Sequence, residues 1–135
     1  MNNIAVVYWS GTGNTKSMAQ AVAKGSGGTL FTADSFGLDN MARFDAIAFG
    51  CPSMGSEQLE DSEFEPMFEA VKSALQGKKI ALFGSYGWGD GEWMRNWEAD
   101  CLASGATLVC DSVICNDAPD DDALAACEKL GEALK

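Results

Sequence analysis

Apolar positions along the chain alternate between two patterns. Short, nearly uninterrupted runs occur at Ile4-Ala-Val-Val-Tyr8, Ala46-Ile-Ala-Phe-Gly50 and Lys79-Ile-Ala-Leu-Phe83, and runs of this length read as strands buried on both faces. Between them, apolar residues recur at helical spacing: Met18, Ala19, Val22 and Ala23 between Asn14 and about Lys24, then Phe64, Phe68, Val71 and Leu75. The same spacing returns in Trp93, Trp97 and Cys101, and in Ala123, Cys127, Leu130 and Leu134. Thr29 to Ala33 reads as a weaker strand, Leu38 to Ala42 as one turn of helix, and Thr107 to Cys115 as a last strand broken at Asp111 and Ser112. Gly25 to Gly28 are expected to stop the first helix and Gly77 the next, which Ser62 and Glu65 should open with a capping box. Strands alternating with helices predict an α/β chain with a five-stranded parallel sheet covered on both faces, in one domain spanning residues 1–135.

Charge narrows the partners. Twenty acids against nine bases give a net charge of −11, which argues against nucleic acid, whose phosphates need clustered Lys and Arg. The acidity suits basic protein partners or simple solubility. No apolar run reaches the roughly 18 residues of a membrane span and no leader is visible, so the expectation is a cytoplasmic protein. The five cysteines, Cys51, Cys101, Cys110, Cys115 and Cys127, form no C-x-x-C pair, and the chain has no His. That argues against a zinc or dithiol site and predicts mostly small buried side chains.

In a parallel sheet, ligands bind beyond the carboxyl ends of the strands. Three loops leaving those ends have unusual composition: Ser10 to Thr15, Cys51 to Glu57, and Ser85 to Gly91. The first is neither a P-loop, because Thr15 rather than Gly precedes Lys16, nor a dinucleotide fingerprint, because Lys16 stands where a third Gly is needed. It offers backbone N–H groups at a helix N-terminus, the hydroxyls of Ser10, Thr12 and Thr15, and the Asn14 amide, which together can hold a phosphate monoester. The third loop places Trp88 between Gly87 and Gly89, expected at an exposed loop tip and free to cover a flat ligand. The second offers Met54 for the other face, Gly55 for a positive φ, and Glu57 to accept from a ring N–H. The combination describes a phosphorylated heterocycle.

Three stretches, Tyr8-Trp-Ser-Gly-Thr-Gly-Asn-Thr15, Gly50-Cys-Pro-Ser-Met-Gly-Ser-Glu57 and Leu82-Phe-Gly-Ser-Tyr-Gly-Trp-Gly-Asp-Gly-Glu-Trp-Met94, resemble the flavodoxins, specifically the short-chain type from anaerobic bacteria. The resemblance covers the whole chain. It implies a three-layer α/β/α sandwich with strand order 2-1-3-4-5, one non-covalent FMN, and low-potential electron carriage through the semiquinone/hydroquinone couple. Carried over by motif, Ser10, Gly11, Thr12, Gly13, Asn14 and Thr15 hold the phosphate, with a further hydroxyl from Ser85. Met54 and Trp88 cover the two ring faces, Glu57 accepts from the flavin N3–H, and Gly87 and Gly89 lend backbone near the pyrimidine edge. Pro52, Ser53, Tyr86, Asp90 and Asn116 complete the expected contact set; some relatives have a phosphate-binding serine where Pro52 stands, which cannot donate. The peptide of Gly55 and Ser56 is expected to turn over on one-electron reduction. Glu57, Glu60, Asp61, Glu63, Asp90 and Glu92 are expected to disfavour the fully reduced anion. The resemblance further implies a monomer that is not an enzyme, whose redox partner proteins dock transiently at an acidic rim. The alternative is an FMN-dependent NAD(P)H:quinone reductase on the same fold, and Cys51 is placed next to the second loop with its reactivity undecided.

Overall fold

The computed structural model describes residues 3–54 and 58–135. The strands are β1 (Ile4–Tyr8), β2 (Thr29–Thr32), β3 (Ala46–Gly50), β4 (Lys79–Tyr86), β5 (Thr107–Leu108) and β6 (Val113–Asn116). The helices are α1 (Asn14–Ser26), α2 (Leu38–Met41), α3 (Phe64–Val71), α4 (Glu92–Ala103) and α5 (Asp121–Ala133). All strands are parallel in the order β2-β1-β3-β4-β5, with β6 also paired to β4. The fifth line of the sheet is thus made of two segments, β5 against Lys79 and Ile80 and β6 against Phe83 to Tyr86. The interruption covers residues 109–112 and includes the polar pair Asp111 and Ser112.

Successive residues of the central strands point to opposite layers. Ala5, Val7, Ile47, Phe49, Ile80 and Leu82 pack with Phe64, Phe68 and Val71 of α3 and Trp93 and Trp97 of α4. Ile4, Val6, Ala46, Ala48, Ala81 and Phe83 face Met18, Ala19 and Val22 of α1 and Cys127 and Leu130 of α5. The second face is rich in alanine, so its helices can sit close to the sheet and to each other.

That closeness explains Gly25. As the Gly25 to Gly28 run suggests, α1 stops there: its last residue is Ser26, and Gly27, whose φ of 72° suits a left-handed cap, closes it. Gly25 is also a packing residue: a Cβ there would stand 2.0 Å from the Glu128 carbonyl oxygen of α5. Gly131 mirrors it, with a Cβ 2.3 Å from the Val22 oxygen. Gly131→Ala should therefore destabilise the protein by about 1–3 kcal/mol through overpacking, although alanine is the better helix former by about 1 kcal/mol. Urea unfolding checks this; a stabilised variant would show that propensity outweighs the contact.

The start of α3 also differs from expectation. Ser62 is not the cap, because helical geometry begins only at Phe64 and the Glu63 backbone makes no side-chain cap. The Glu60 carboxylate takes that role, accepting from the N–H groups of Ser62, Glu63 and Phe64 at 2.8 Å each and from the Ser62 hydroxyl. A carboxylate has enough lone pairs to satisfy four donors, which a serine hydroxyl cannot.

Candidate functional site

Because the sheet is parallel, β1, β3 and β4 all release their following loops at one edge. α1 then crosses to one face and α3 to the other, so this edge is the point where the winding reverses. A cavity of about 210 Å³ opens there, bounded by Trp9, Ser10, Gly11, Thr12, Asn14 and Thr15, by Pro52, Ser53 and Met54, and by Ser85, Tyr86, Gly87 and Asp117. Residues from all three loops singled out in the sequence meet around it. Gly55, Ser56 and Glu57 lie outside the described residues.

The first loop is folded by its own hydroxyls. Ser10 Oγ accepts from the Gly13 N–H at 3.0 Å and Thr12 Oγ1 from the Asn14 N–H at 3.4 Å. Each hydroxyl that accepts in this way keeps its proton for another acceptor. Gly13 turns the chain into α1 with φ 96°, a conformation glycine adopts without strain. Among the described residues, the N–H groups of Gly11, Thr12, Thr15 and Lys16 find no protein acceptor. Buried beside them, Thr15 Oγ1 and Ser85 Oγ stand 3.2 Å apart, so one hydroxyl proton of the pair is left over whichever donates. Such a set of donors, at a helix N-terminus with its partial positive charge, is built for an anion.

The second loop leaves the sheet on a fixed heading. Cys51 N–H donates to the Phe83 carbonyl at 3.1 Å and Ser53 N–H to the Ser85 carbonyl at 3.0 Å, extending the β3–β4 pairing past the strand. The buried Trp93 indole donates to the Cys51 carbonyl at 3.2 Å. Met54 and Gln58 exchange two backbone hydrogen bonds, at 2.8 and 2.9 Å, and so pin the two ends of the segment between them. The Cys51 thiol is fully buried and its pKa is pushed far up by desolvation, so it is not a reactive group. Cys101 and Cys127 are likewise buried, each raised to about 12, chiefly by the same cause.

In the third loop Trp88 is 62% exposed, as its flanking glycines suggested, while Gly89 and Gly91 turn with φ of 90° and 92°. Asn116 does not border the cavity; its amide donates to the Tyr86 carbonyl at 3.3 Å. The residue that does is Asp117, the sole non-glycine with positive φ (57°) among the described residues, whose N–H also reaches the Tyr86 carbonyl, at 2.8 Å. Asp117 and Trp9 are the cavity residues that the sequence reading missed. An Asn-Asp pair after a strand tolerates the left-handed region and could have flagged the first. A tryptophan immediately before the glycine loop was the only hint of the second.

The acids expected around a ligand divide sharply. Glu60 is 4% exposed and belongs to the α3 cap rather than to any rim. Burial alone would raise its pKa, but the hydrogen bonds from Ser62, Phe64 and Glu63 outweigh that and hold it below the ordinary value. Glu63 accepts from the Trp9 indole at 2.9 Å, and exposed Asp90 pairs with Arg95 at 3.0 Å. Asp61 and Glu92 are exposed.

A family model described as Flavodoxin matches residues 6–131. The chain is 44% identical to a flavodoxin of Megasphaera elsdenii and 43% identical to one of Clostridium beijerinckii, in each case over 96% of both chains. The solved structure of two-electron reduced Megasphaera elsdenii flavodoxin superposes with a TM-score of 0.89 over 97% of both chains, at 43% identity. A flavodoxin from the domain Archaea superposes with a TM-score of 0.84 at 29% identity, over 98% of this chain and 95% of that one.

Proposed function

The chain belongs to the flavodoxin family and is an FMN-carrying electron-transfer protein rather than an enzyme, and from that premise we propose how its residues hold the cofactor and meet their partners. FMN supplies reversible electron uptake when bound. The chain's part is to anchor it, cover it and set the charge around it.

The phosphate lies in the first loop, held by the N–H groups of Gly11, Thr12, Thr15 and Lys16, by the spare protons of Ser10 and Thr12, and by the Thr15–Ser85 pair. Asn14 adds its amide. The single observation carrying this reading is that set of donors at a helix N-terminus, without acceptors among the described residues, with Gly11, Thr12, Thr15 and Ser85 bordering one cavity. No paired cation is needed for a monoester that stays bound, and leaving cations out avoids favouring a reduced, anionic ring. Met54, exposed at the cavity wall, lies against one ring face and Trp88 covers the other. Glu57 would accept from the ring N3–H and the Gly55–Ser56 peptide would serve its N5 edge.

Redox partner proteins dock at the rim, and the exposed acids Asp61 and Glu92, together with Asp117 at the cavity wall, give that rim its charge. The protein works as a cytoplasmic monomer. Among the described residues no helix is long and apolar enough to cross a membrane. Replacing Asp61 with Asn and Glu92 with Gln together should raise the second reduction potential of the bound flavin, on the order of tens of millivolts. The same variant should flatten the salt dependence of electron transfer to a basic partner. Neither change appearing would place the rim elsewhere.

A further inference from the structure

Trp9 is fixed at three points that cofactor binding does not by itself require. Its main-chain N–H donates to the Gly50 carbonyl at 3.0 Å and its indole N–H to Glu63 Oε1 at 2.9 Å. Its six-membered ring lies against Gly11, where a Cβ would stand 3.0 Å from Cη2 and 3.2 Å from Cζ3. Behind the first loop is a second, more open cavity of about 580 Å³, bordered by Lys16, Thr32, Asp34 and Glu63. Trp9, Ser10, Gly11 and Thr12 line both cavities. The anion loop is therefore a thin wall between two open spaces, and the Trp9 ring is the bulk that backs it.

The far end of this brace is firm. Glu63 directly precedes α3, and its own N–H is held by the Glu60 carboxylate at 2.8 Å. A path of contacts thus runs from Gly11 through the Trp9 ring and its N–H to Glu63 and the capped end of α3, without passing through the sheet. Without the Glu63 bond, the indole is free to rotate about its side-chain torsions and Gly11 loses its backing. Donors that must converge on one phosphate bind it well only if they are held in place beforehand.

We propose that Trp9, through its hydrogen bond to Glu63, is a positioning residue that holds the anion loop in its phosphate-accepting shape and so sets the preference for phosphorylated over unphosphorylated flavin. This rests on the reading of the cavity as the FMN site. The two ligands share the ring and the ribityl chain and differ only in the group that the loop grips. A change confined to the loop should therefore appear in FMN affinity and be absent from riboflavin affinity.

The test titrates FMN and riboflavin, followed by flavin fluorescence, into full-length apoprotein of wild type, Trp9→Phe, Glu63→Gln, Glu63→Leu and the Trp9→Phe/Glu63→Leu double variant. Phenylalanine removes the N–H donor together with the outer ring atoms that back Gly11, so Glu63→Leu is the variant that removes the hydrogen bond alone; glutamine keeps an acceptor without the charge. Trp9→Phe and Glu63→Leu should each weaken FMN roughly three- to tenfold, the scale of one charge-assisted hydrogen bond at a partly exposed position. Riboflavin should stay within about twofold, Glu63→Gln should lie between wild type and Glu63→Leu, and the double variant should be no weaker than Trp9→Phe, because that change already removes the bond. Equal weakening of both ligands, unchanged FMN binding, or Glu63→Gln falling as far as Glu63→Leu would overturn the inference. A wild-type chain that binds no FMN would overturn the cofactor reading as well, which keeps the two failures distinct.

Discussion

Glu60→Ala is expected to lower the thermal unfolding midpoint by about 10 °C, more than any other single carboxylate replacement in the molecule. The side chain is 4% exposed and its two oxygens serve three backbone N–H groups and one hydroxyl at the start of α3. Alanine leaves those donors at a largely buried helix end with nothing to replace them. Losing a cap costs about 1–2 kcal/mol and each stranded buried donor adds on the order of 1 kcal/mol. A total near 3 kcal/mol corresponds to about 10 °C for a domain of this size. The effect also carries a pH signature. The folded state holds the Glu60 carboxyl below its ordinary value, so its stabilisation is fully present above the unfolded pKa, about 4.3. It fades as pH falls through the folded value. The stability gap between wild type and Glu60→Gln, measured by urea unfolding across that range, should close toward acid; a gap independent of pH would mean that the carboxylate's charge is not what caps the helix.

Trp88→Ala should have the opposite profile, with a large effect on cofactor and almost none on the fold. The indole is 62% exposed, so its removal leaves apoprotein stability within about 0.5 kcal/mol. Stacking of a heterocycle on an aromatic side chain contributes about 1–3 kcal/mol, so FMN affinity should fall roughly ten- to a hundredfold. An electron-rich indole against the ring also disfavours the electron-rich reduced form, so the second potential should rise. Fluorescence titration and potentiometry check both parts. Unchanged affinity would show that another group covers the ring.

The contrast between these residues shows what was legible in the sequence. Trp88 was readable because its local context, a glycine on each side, settles its exposure without reference to the rest of the chain. The inward faces of α3 and α4 were readable for a similar reason, since periodicity states which side of an element is buried, whereas the sheet order followed only from the family resemblance. Glu60 was misplaced on the rim because nothing near it in sequence reveals that it folds back onto the next three N–H groups. Ser62 and Glu65 offered a familiar capping pattern in its place, and a better acceptor won. The Gly25 to Gly28 run was readable as the end of α1, but the packing reason for Gly25 in its last turn is α5, more than a hundred residues later. Trp9 and Asp117 were missed on the same ground, since their placement depends on Glu63 and Tyr86 across the fold. The first loop itself was singled out from composition, and the structure places it at the cavity. Its internal bonding was not: the hydroxyls of Ser10 and Thr12 shape the loop by accepting from the Gly13 and Asn14 N–H groups.

The central claim is that this chain holds one FMN and moves electrons one at a time at low potential. An anaerobic reductive titration of the holoprotein, followed by absorbance against reference dyes, tests it most directly. One flavin per chain is expected, with reduction in two resolved one-electron steps and a second potential well below that of free FMN. A single two-electron step at the free-flavin potential, or steady oxidation of NAD(P)H with no partner protein present, would contradict it.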